Sequence, residues 1–248
     1  MPRIARTKSE SGLYHVMLRR VGRQFLFADD ADRSAFVSML SRILAEENIE
    51  LLAWCLMDNH VHLVILDHDD NMSHAMQRIN CSYALRLNRR SDHVGHVFQD
   101  RFLSKPIESE AYLLNVIRYV HNNPLDLKVR AEDYAWSSYG QYAYGSGGIA
   151  SCSMVLDMLG GPDGFVRLVA EGTGDDEPNI LGAPQDASVA RKSASEVLGF
   201  PIERVGELPK ATRDERLRQL GLAGFSVRQI ERLTGIGRNT VARALRGT

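Results

Sequence analysis

The stretch Leu51-Leu52-Ala53-Trp54-Cys55-Leu56-Met57-Asp58-Asn59-His60-Val61-His62-Leu63-Val64-Ile65-Leu66 decides how this chain folds. Two apolar runs rich in strand-forming residues flank an Asp-Asn pair, which predicts a strand at 49–57, a tight corner and a second strand at 60–67. Strand side chains alternate between faces, so His60 and His62 share one face while Val61 points into the opposite layer. A half-buried imidazole pair needs partners, and neutral imidazole is a common metal ligand, so a divalent cation would satisfy both. The competing reading is two core histidines satisfied by hydrogen bonds.

Outward from this hairpin the periodicity changes. Leu13-Tyr14-His15-Val16-Met17-Leu18 has strand character and opens the fold. Asp29-Asp30-Ala31-Asp32 offers N-cap acids to a helix over 30–47, whose Phe36, Met39, Leu40, Ile43 and Leu44 recur at helical spacing. Asn71-Met72-Ser73 starts a second helix running to about Arg90, with Met76, Ile79, Tyr83 and Leu87 on its inner stripe. Residues 96–107 read as extended, and Ser109-Glu110 opens a third helix over 109–122. Pro124 should stop that helix, because the residue before a proline avoids the helical region. The order β-α-β-β-α-β-α predicts the α+β class, an antiparallel sheet carrying packed helices.

The third helix supplies what the histidines lack. Tyr119 and Asn123 are four residues apart and therefore neighbours on one helix face. They can meet the histidine pair from across the site, Asn123 as third metal ligand and Tyr119 as nucleophile. The other reading of Tyr119 is a core aromatic with its hydroxyl at the surface. His121 lies about 200° round the helix from Tyr119 and is left out of the site.

The chain of 248 residues has room for one large and one small domain, and its 44% hydrophobic and 25% charged content is that of an ordinary globular protein. No apolar run reaches membrane-spanning length and the N-terminus lacks a signal-peptide core, so a cytoplasmic, nucleoid-associated protein with no membrane partner is expected. Cys55, Cys81 and Cys152 form no C-x-x-C pair, which disfavours a disulfide framework or a thiolate zinc site. The net charge of −1 hides an uneven distribution. Residues 1–24 carry six Lys/Arg against Glu10, residues 210–248 carry nine against three acids, and residues 171–186 carry five acids and no base. Basic ends suit a polyanion gripped at two places, with solvated helix faces as the alternative.

Beyond 145 the pattern is different in kind. Gly145-Ser146-Gly147-Gly148 is flexible, 151–170 suggests a helix pair, and 171–186 reads as a linker rich in Gly, Pro and acids. The predicted division is 1–145, 146–186 and 187–248. In the last part, Ser226 caps one helix to Leu233, Thr234-Gly235-Ile236-Gly237 turns, and a second helix follows from Arg238, the layout of a small all-α helix-turn-helix DNA-binding module. Ile230, Leu233, Ile236, Val241 and Leu245 form the seam, leaving Arg238, Asn239, Thr240 and Arg243 near the start of a recognition helix. A helical protein-contact module would bury the same seam.

Asp58-Asn59-His60-Val61-His62-Leu63-Val64 resembles the His-hydrophobic-His (HUH) motif of the single-tyrosine transposases, and Tyr119-Val120-His121-Asn122-Asn123-Pro124 resembles their tyrosine helix. Gly95-His96-Val97-Phe98-Gln99-Asp100-Arg101-Phe102 and Trp136-Ser137-Ser138-Tyr139 resemble two further blocks of the REP-associated tyrosine transposase branch. The resemblance covers about residues 2–145. It implies an RRM-like or ferredoxin-like sheet, Mg²⁺ or Mn²⁺ on the HUH pair, and attack by Tyr119 on single-stranded DNA near a hairpin through a covalent 5′-phosphotyrosine. Leu125-Asp126-Leu127-Lys128 departs from the Val-Arg-Ala that often follows the proline in that branch. The expected metal set is His60, His62 and Asn123. The expected DNA contacts are Arg3, Arg6, Gln99, Arg101, Arg238, Asn239, Thr240 and Arg243. Ligand type does not separate Mg²⁺ from Mn²⁺, and monomer and homodimer both stay open. The rival function is a sequence-specific DNA-binding regulator that retains an inactive HUH scaffold.

Overall fold

Four strands, β1 (Leu13–Arg19), β2 (Ile49–Leu56), β3 (His60–Asp67) and β4 (Leu103–Pro106), form an antiparallel sheet in the order β2-β3-β1-β4. The structure is a computed structural model that describes residues 7–21, 24–91, 96–98, 101–172, 187–223, 225 and 227–246. β1, β2 and β3 are the apolar stretches read from sequence, and their alternation gives the sheet two different faces.

One face is mainly apolar, Ser104 of β4 being a polar exception. Val16, Leu18, Val61, Leu63 and Ile65 pack there against Phe36, Leu40, Ile43 and Leu44 of α1 (Asp30–Glu46) and Met76, Ile79 and Tyr83 of α2 (Met72–Ser91). Full burial of each aliphatic or Phe side chain is worth about 1.5–3 kcal/mol, so this layer carries much of the stability. The Asp29 side chain accepts from the Asp32 N–H at 3.0 Å and starts α1. The buried Asp32 carboxylate is answered by Arg90 at 2.7 Å.

The other face lies under α3 (Glu110–Asn122). Ser109 caps it by accepting from the Tyr112 N–H at 3.2 Å, and Leu113, Val116, Ile117 and Val120 face Leu52, Ala53, Cys55 and Val64. Three more helices, α4 (Tyr139–Tyr144), α5 (Ser153–Leu159) and α6 (Pro162–Ala170), extend this layer, with the Tyr142 and Phe165 rings stacked at 4.6 Å. The segment just before α4 closes the outer edge of β2: the Leu56 N–H donates to Trp136 O and the Ser138 N–H to Trp54 O, both at 2.9 Å. Part of the Trp136-Ser137-Ser138-Tyr139 block therefore serves as edge cover.

Pro124 does not stop the helical path. α3 ends at Asn122, but Asn123–Leu127 continues as a 3-10 helix and Asn123 itself has helical angles, φ −52° and ψ −36°. The proline sits in the first turn of the new helix, where its missing N–H is no loss. Burial of Asn123 and Pro124 overrides the preference of a pre-proline residue for extended backbone. Of the described residues in 96–107, Leu103–Pro106 pair as β4 and Phe98 bridges to Arg20.

The chain separates into two compact units, Met1–Ile180 and Leu181–Thr248. In the second, α7 (Ala187–Leu198), a 3-10 helix (Ile202–Glu207), α8 (Lys210–Leu222), α9 (Val227–Thr234) and α10 (Arg238–Arg246) enclose Ala194, Ile202, Leu217, Leu220, Ile230, Leu233 and Val241. Gly235 takes a left-handed φ of +71° between α9 and α10. The linker reading of 173–186 and the capping role of Ser226 lie outside the described residues. Among the described residues no helix is long and apolar enough to cross a membrane.

Candidate nucleophile and metal-ligand site

The site lies between the polar-bearing face of the sheet and α3. In the ladder, β1 sets Arg19 opposite His60, Met17 opposite His62 and His15 opposite Val64. His60 and His62 share a face as their spacing requires, with ring centroids 4.9 Å apart and planes at 89°. His15 points to the same face, because it lies diagonally from His62 across the strand pair. Its Nε2 is 3.0 Å from His62 Nδ1.

Tyr119 stands over these rings. Its ring meets that of His62 edge-on at 5.4 Å and that of His15 at 5.9 Å. One turn further, Asn123 donates from Nδ2 to the Tyr119 carbonyl at 2.9 Å. Its oxygen is the atom turned toward His60 and His62, because Nδ2 is spent on the Tyr119 carbonyl and the contact favours the protonated form of either ring. The helical backbone at Asn123 is what keeps this amide one turn from Tyr119.

All these imidazoles are held neutral. Burial, followed by the nearby Arg19 charge, lowers the pKa of His60 to about 4. Burial, then His60, His15 and Arg19, puts His62 well below the usual value, and burial with Lys105 lowers His15 to about 3. Neutral rings keep a lone pair for a Lewis acid at neutral pH. Asn59 Oδ1 lies 2.6 Å from His60 Nδ1, taking that proton and leaving Nε2 as the donor atom. His15 occupies His62 Nδ1, so Nε2 remains there too. Two imidazole nitrogens and one amide oxygen are a mixed set compatible with Mg²⁺ or Mn²⁺. Among the described residues no group of three His, Cys, Asp or Glu side chains gathers to hold a metal.

His121 sits apart. Its Nδ1–H donates to Ile117 O and its Nε2 accepts from Ser138 Oγ, both at 2.8 Å, while Phe165, Tyr142 and Tyr139 surround the ring. The corner before β3 is pinned by an Asp58–Arg33 pair at 2.9 Å. His15 and Arg19 are the site residues that sequence reasoning missed. A histidine inside the apolar run of β1 was the available signal, and it needed the register of β1 on β3 to become meaningful.

Of the expected DNA contacts, Arg101, Asn239 and Arg243 are exposed and Thr240 is half-buried. Arg238 is paired with Glu231, whose carboxylate also accepts the Arg238 backbone N–H at 3.2 Å and so caps α10. Arg3, Arg6 and Gln99 lie outside the described residues.

Residues 8–123, a little under half of the chain, match the family model described as "Transposase IS200 like". Among solved structures it is similar to a REP-associated tyrosine transposase bound to a REP hairpin, at 17% identity over 62% of this chain and 96% of that one with a TM-score of 0.51. A putative transposase from Deinococcus radiodurans R1 also aligns, at 17% identity over 49% of this chain and 97% of that one with a TM-score of 0.35. No curated protein matches the sequence.

Proposed function

We propose that the first unit is a metal-dependent single-stranded DNA endonuclease and strand transferase that acts beside DNA hairpins. The observation that carries this reading is the convergence of the Tyr119 ring, the His60–His62 pair and the Asn123 oxygen on one space between α3 and the sheet. Tyr119 Oη attacks the scissile phosphorus, the Oη–P bond forms, and the P–O3′ bond breaks with its electron pair leaving on O3′. The phenol proton passes to water and a proton from water reaches O3′. The products are a 5′-phosphotyrosine and a free 3′ hydroxyl, and the reverse attack rejoins strands without outside energy. His60 Nε2, His62 Nε2 and Asn123 Oδ1 would hold the divalent cation, which supplies Lewis-acid polarisation of a phosphate oxygen. Arg19, beside His60 in the ladder, adds positive charge where the phosphate must sit.

The second unit is read as a helix-turn-helix module that holds flanking DNA, with α10 as the recognition helix and Asn239, Thr240 and Arg243 at its reading end. Arg238 contributes by positioning Glu231 and the start of α10. These outward polar groups also support the rival, a DNA-binding regulator with an idle HUH scaffold. One experiment separates the two. Incubation with Mn²⁺ and a labelled hairpin carrying single-stranded flanks should give a denaturation-resistant protein–DNA band. Tight binding with no such band would favour the regulator.

A further inference from the structure

The bond between His15 and His62 has a consequence for proton placement. His15 is fully buried, its Nε2 lies 3.0 Å from His62 Nδ1, and its own Nδ1 is buried without a hydrogen-bond partner. A neutral imidazole carries one proton, so only one ring of the pair can donate across this contact. Two arrangements are possible, and the surroundings rank them.

In the first, His15 Nε2–H donates to His62 Nδ1. The His62 proton then sits on Nε2, where Asn123 Oδ1 accepts it. The His60 Nδ1–H has Asn59 Oδ1 at 2.6 Å and the Asn123 Nδ2–H has Tyr119 O at 2.9 Å. Each N–H just named has an acceptor, and the orphan at His15 Nδ1 is a bare lone pair. In the second, His62 Nδ1–H donates to His15 Nε2, the His15 proton moves to Nδ1, and a buried N–H is left with no acceptor. Buried orphan N–H groups are the rarer and costlier kind, so the first arrangement is the resting one. Yet it places a proton on His62 Nε2, the nitrogen a cation must take. The second is the one that frees it.

We propose that His15 is a positioning residue acting through His62, and that the two rings exchange tautomers together when a cation binds: His15 Nε2–H···Nδ1 His62 at rest becomes His62 Nδ1–H···Nε2 His15 in the loaded site. Protons balance, since the one shared across the contact passes from His15 to His62 and the one leaving His62 Nε2 is replaced, through water, at His15 Nδ1. No net proton is released. Ligating histidines nearly always donate their second N–H to an acceptor that fixes ring and tautomer, and here that acceptor is another histidine rather than a carboxylate or carbonyl. The inference rests on the reading of His62 as a metal ligand.

The test uses the full chain labelled with ¹⁵N-histidine. Without metal, His62 should show a bare Nδ1 and a protonated Nε2, with His15 protonated at Nε2. Saturation with Zn²⁺, a diamagnetic probe, should move the proton to Nδ1 on both rings. In Mn²⁺ titrations, His15→Phe, which keeps a ring but has no acceptor, should bind about 10–100-fold more weakly. His15→Gln, whose amide oxygen reaches the place of Nε2, should recover most of that loss. Wild-type tautomers that do not change, or Mn²⁺ affinity in a folded His15→Phe equal to wild type, would overturn the proposal while leaving the metal reading intact. Equal Mn²⁺ binding by wild type and His62→Ala would overturn both.

Discussion

Helix α3 has a buried histidine environment on each of two sides, and they differ in one respect. His121, on the side toward α4 and α6, is enclosed by aromatic rings and spends both nitrogens on fixed partners, Ile117 O and Ser138 Oγ. His62, on the side toward the sheet, is as deeply buried at 1% exposure, but its nitrogens face His15, a ring that can give or take the shared proton, and the Asn123 oxygen, a simple acceptor. Burial lowers the pKa of both, so a depressed value does not distinguish a structural imidazole from a working one. What distinguishes them is whether the second nitrogen already has a partner that cannot be exchanged.

The sharpest way to break this contrast is at the residue above the working side. Tyr119→Phe removes one oxygen, so the covalent DNA band should vanish entirely while the melting temperature and DNA affinity stay near wild type. Tyr112→Phe, on a tyrosine paired with Lys105 at 4.7 Å, should leave the band intact. A band that persists in Tyr119→Phe would move the nucleophile elsewhere. Next in size is the exchange of the two histidines' roles. His62→Ala should abolish Mn²⁺ binding measured by electron paramagnetic resonance. His121→Ala should bind Mn²⁺ normally yet lose about 2–4 kcal/mol in urea unfolding, from a cavity and the loss of the bonds to Ile117 O and Ser138 Oγ. Equal metal loss in both would erase the distinction.

A smaller effect lies in pH. The His121 pKa is lowered by burial from 6.5 to about 4, so below pH 6.5 the unfolded chain takes up a proton before the folded one does. The stability is therefore present above pH 6.5 and lost as pH falls toward about 4, with an upper bound of about 3 kcal/mol for this residue. His121→Phe should show a shallower fall over that window than wild type in denaturant titrations at stepped pH. The smallest expected effect tests the second unit. Arg243→Ala should lower the salt dependence of DNA binding by roughly one unit of slope if its guanidinium meets a phosphate, and leave the adduct yield unchanged.

Much of this was legible in the sequence because it is local. Alternation put His60 and His62 on one face, helical spacing joined Tyr119 to Asn123, and the cap residues marked the helices within a residue or two. Three features were not legible, and all depend on distant chain. The partnership of His15 with His62 requires the register of two strands 47 residues apart. The role of Trp136 and Ser138 as cover for β2 requires knowing which strand is the edge. The helical conformation of Asn123 sets a local bias against burial, and only the packed structure shows that burial prevails.

Asn123 is tied by its side chain to the backbone of the very residue proposed to attack DNA. Once Tyr119 is joined to a strand end, any tension on that strand enters the protein through α3, whose Leu113, Val116, Ile117 and Val120 rivet it to the sheet. The load would then fall on a single turn that carries both the proposed anchor and a proposed ligand. A tug strong enough to lift this turn would withdraw the nucleophile and open the ligand set in one movement. Force on the DNA would thus act as a brake on rejoining as well as a strain on the link.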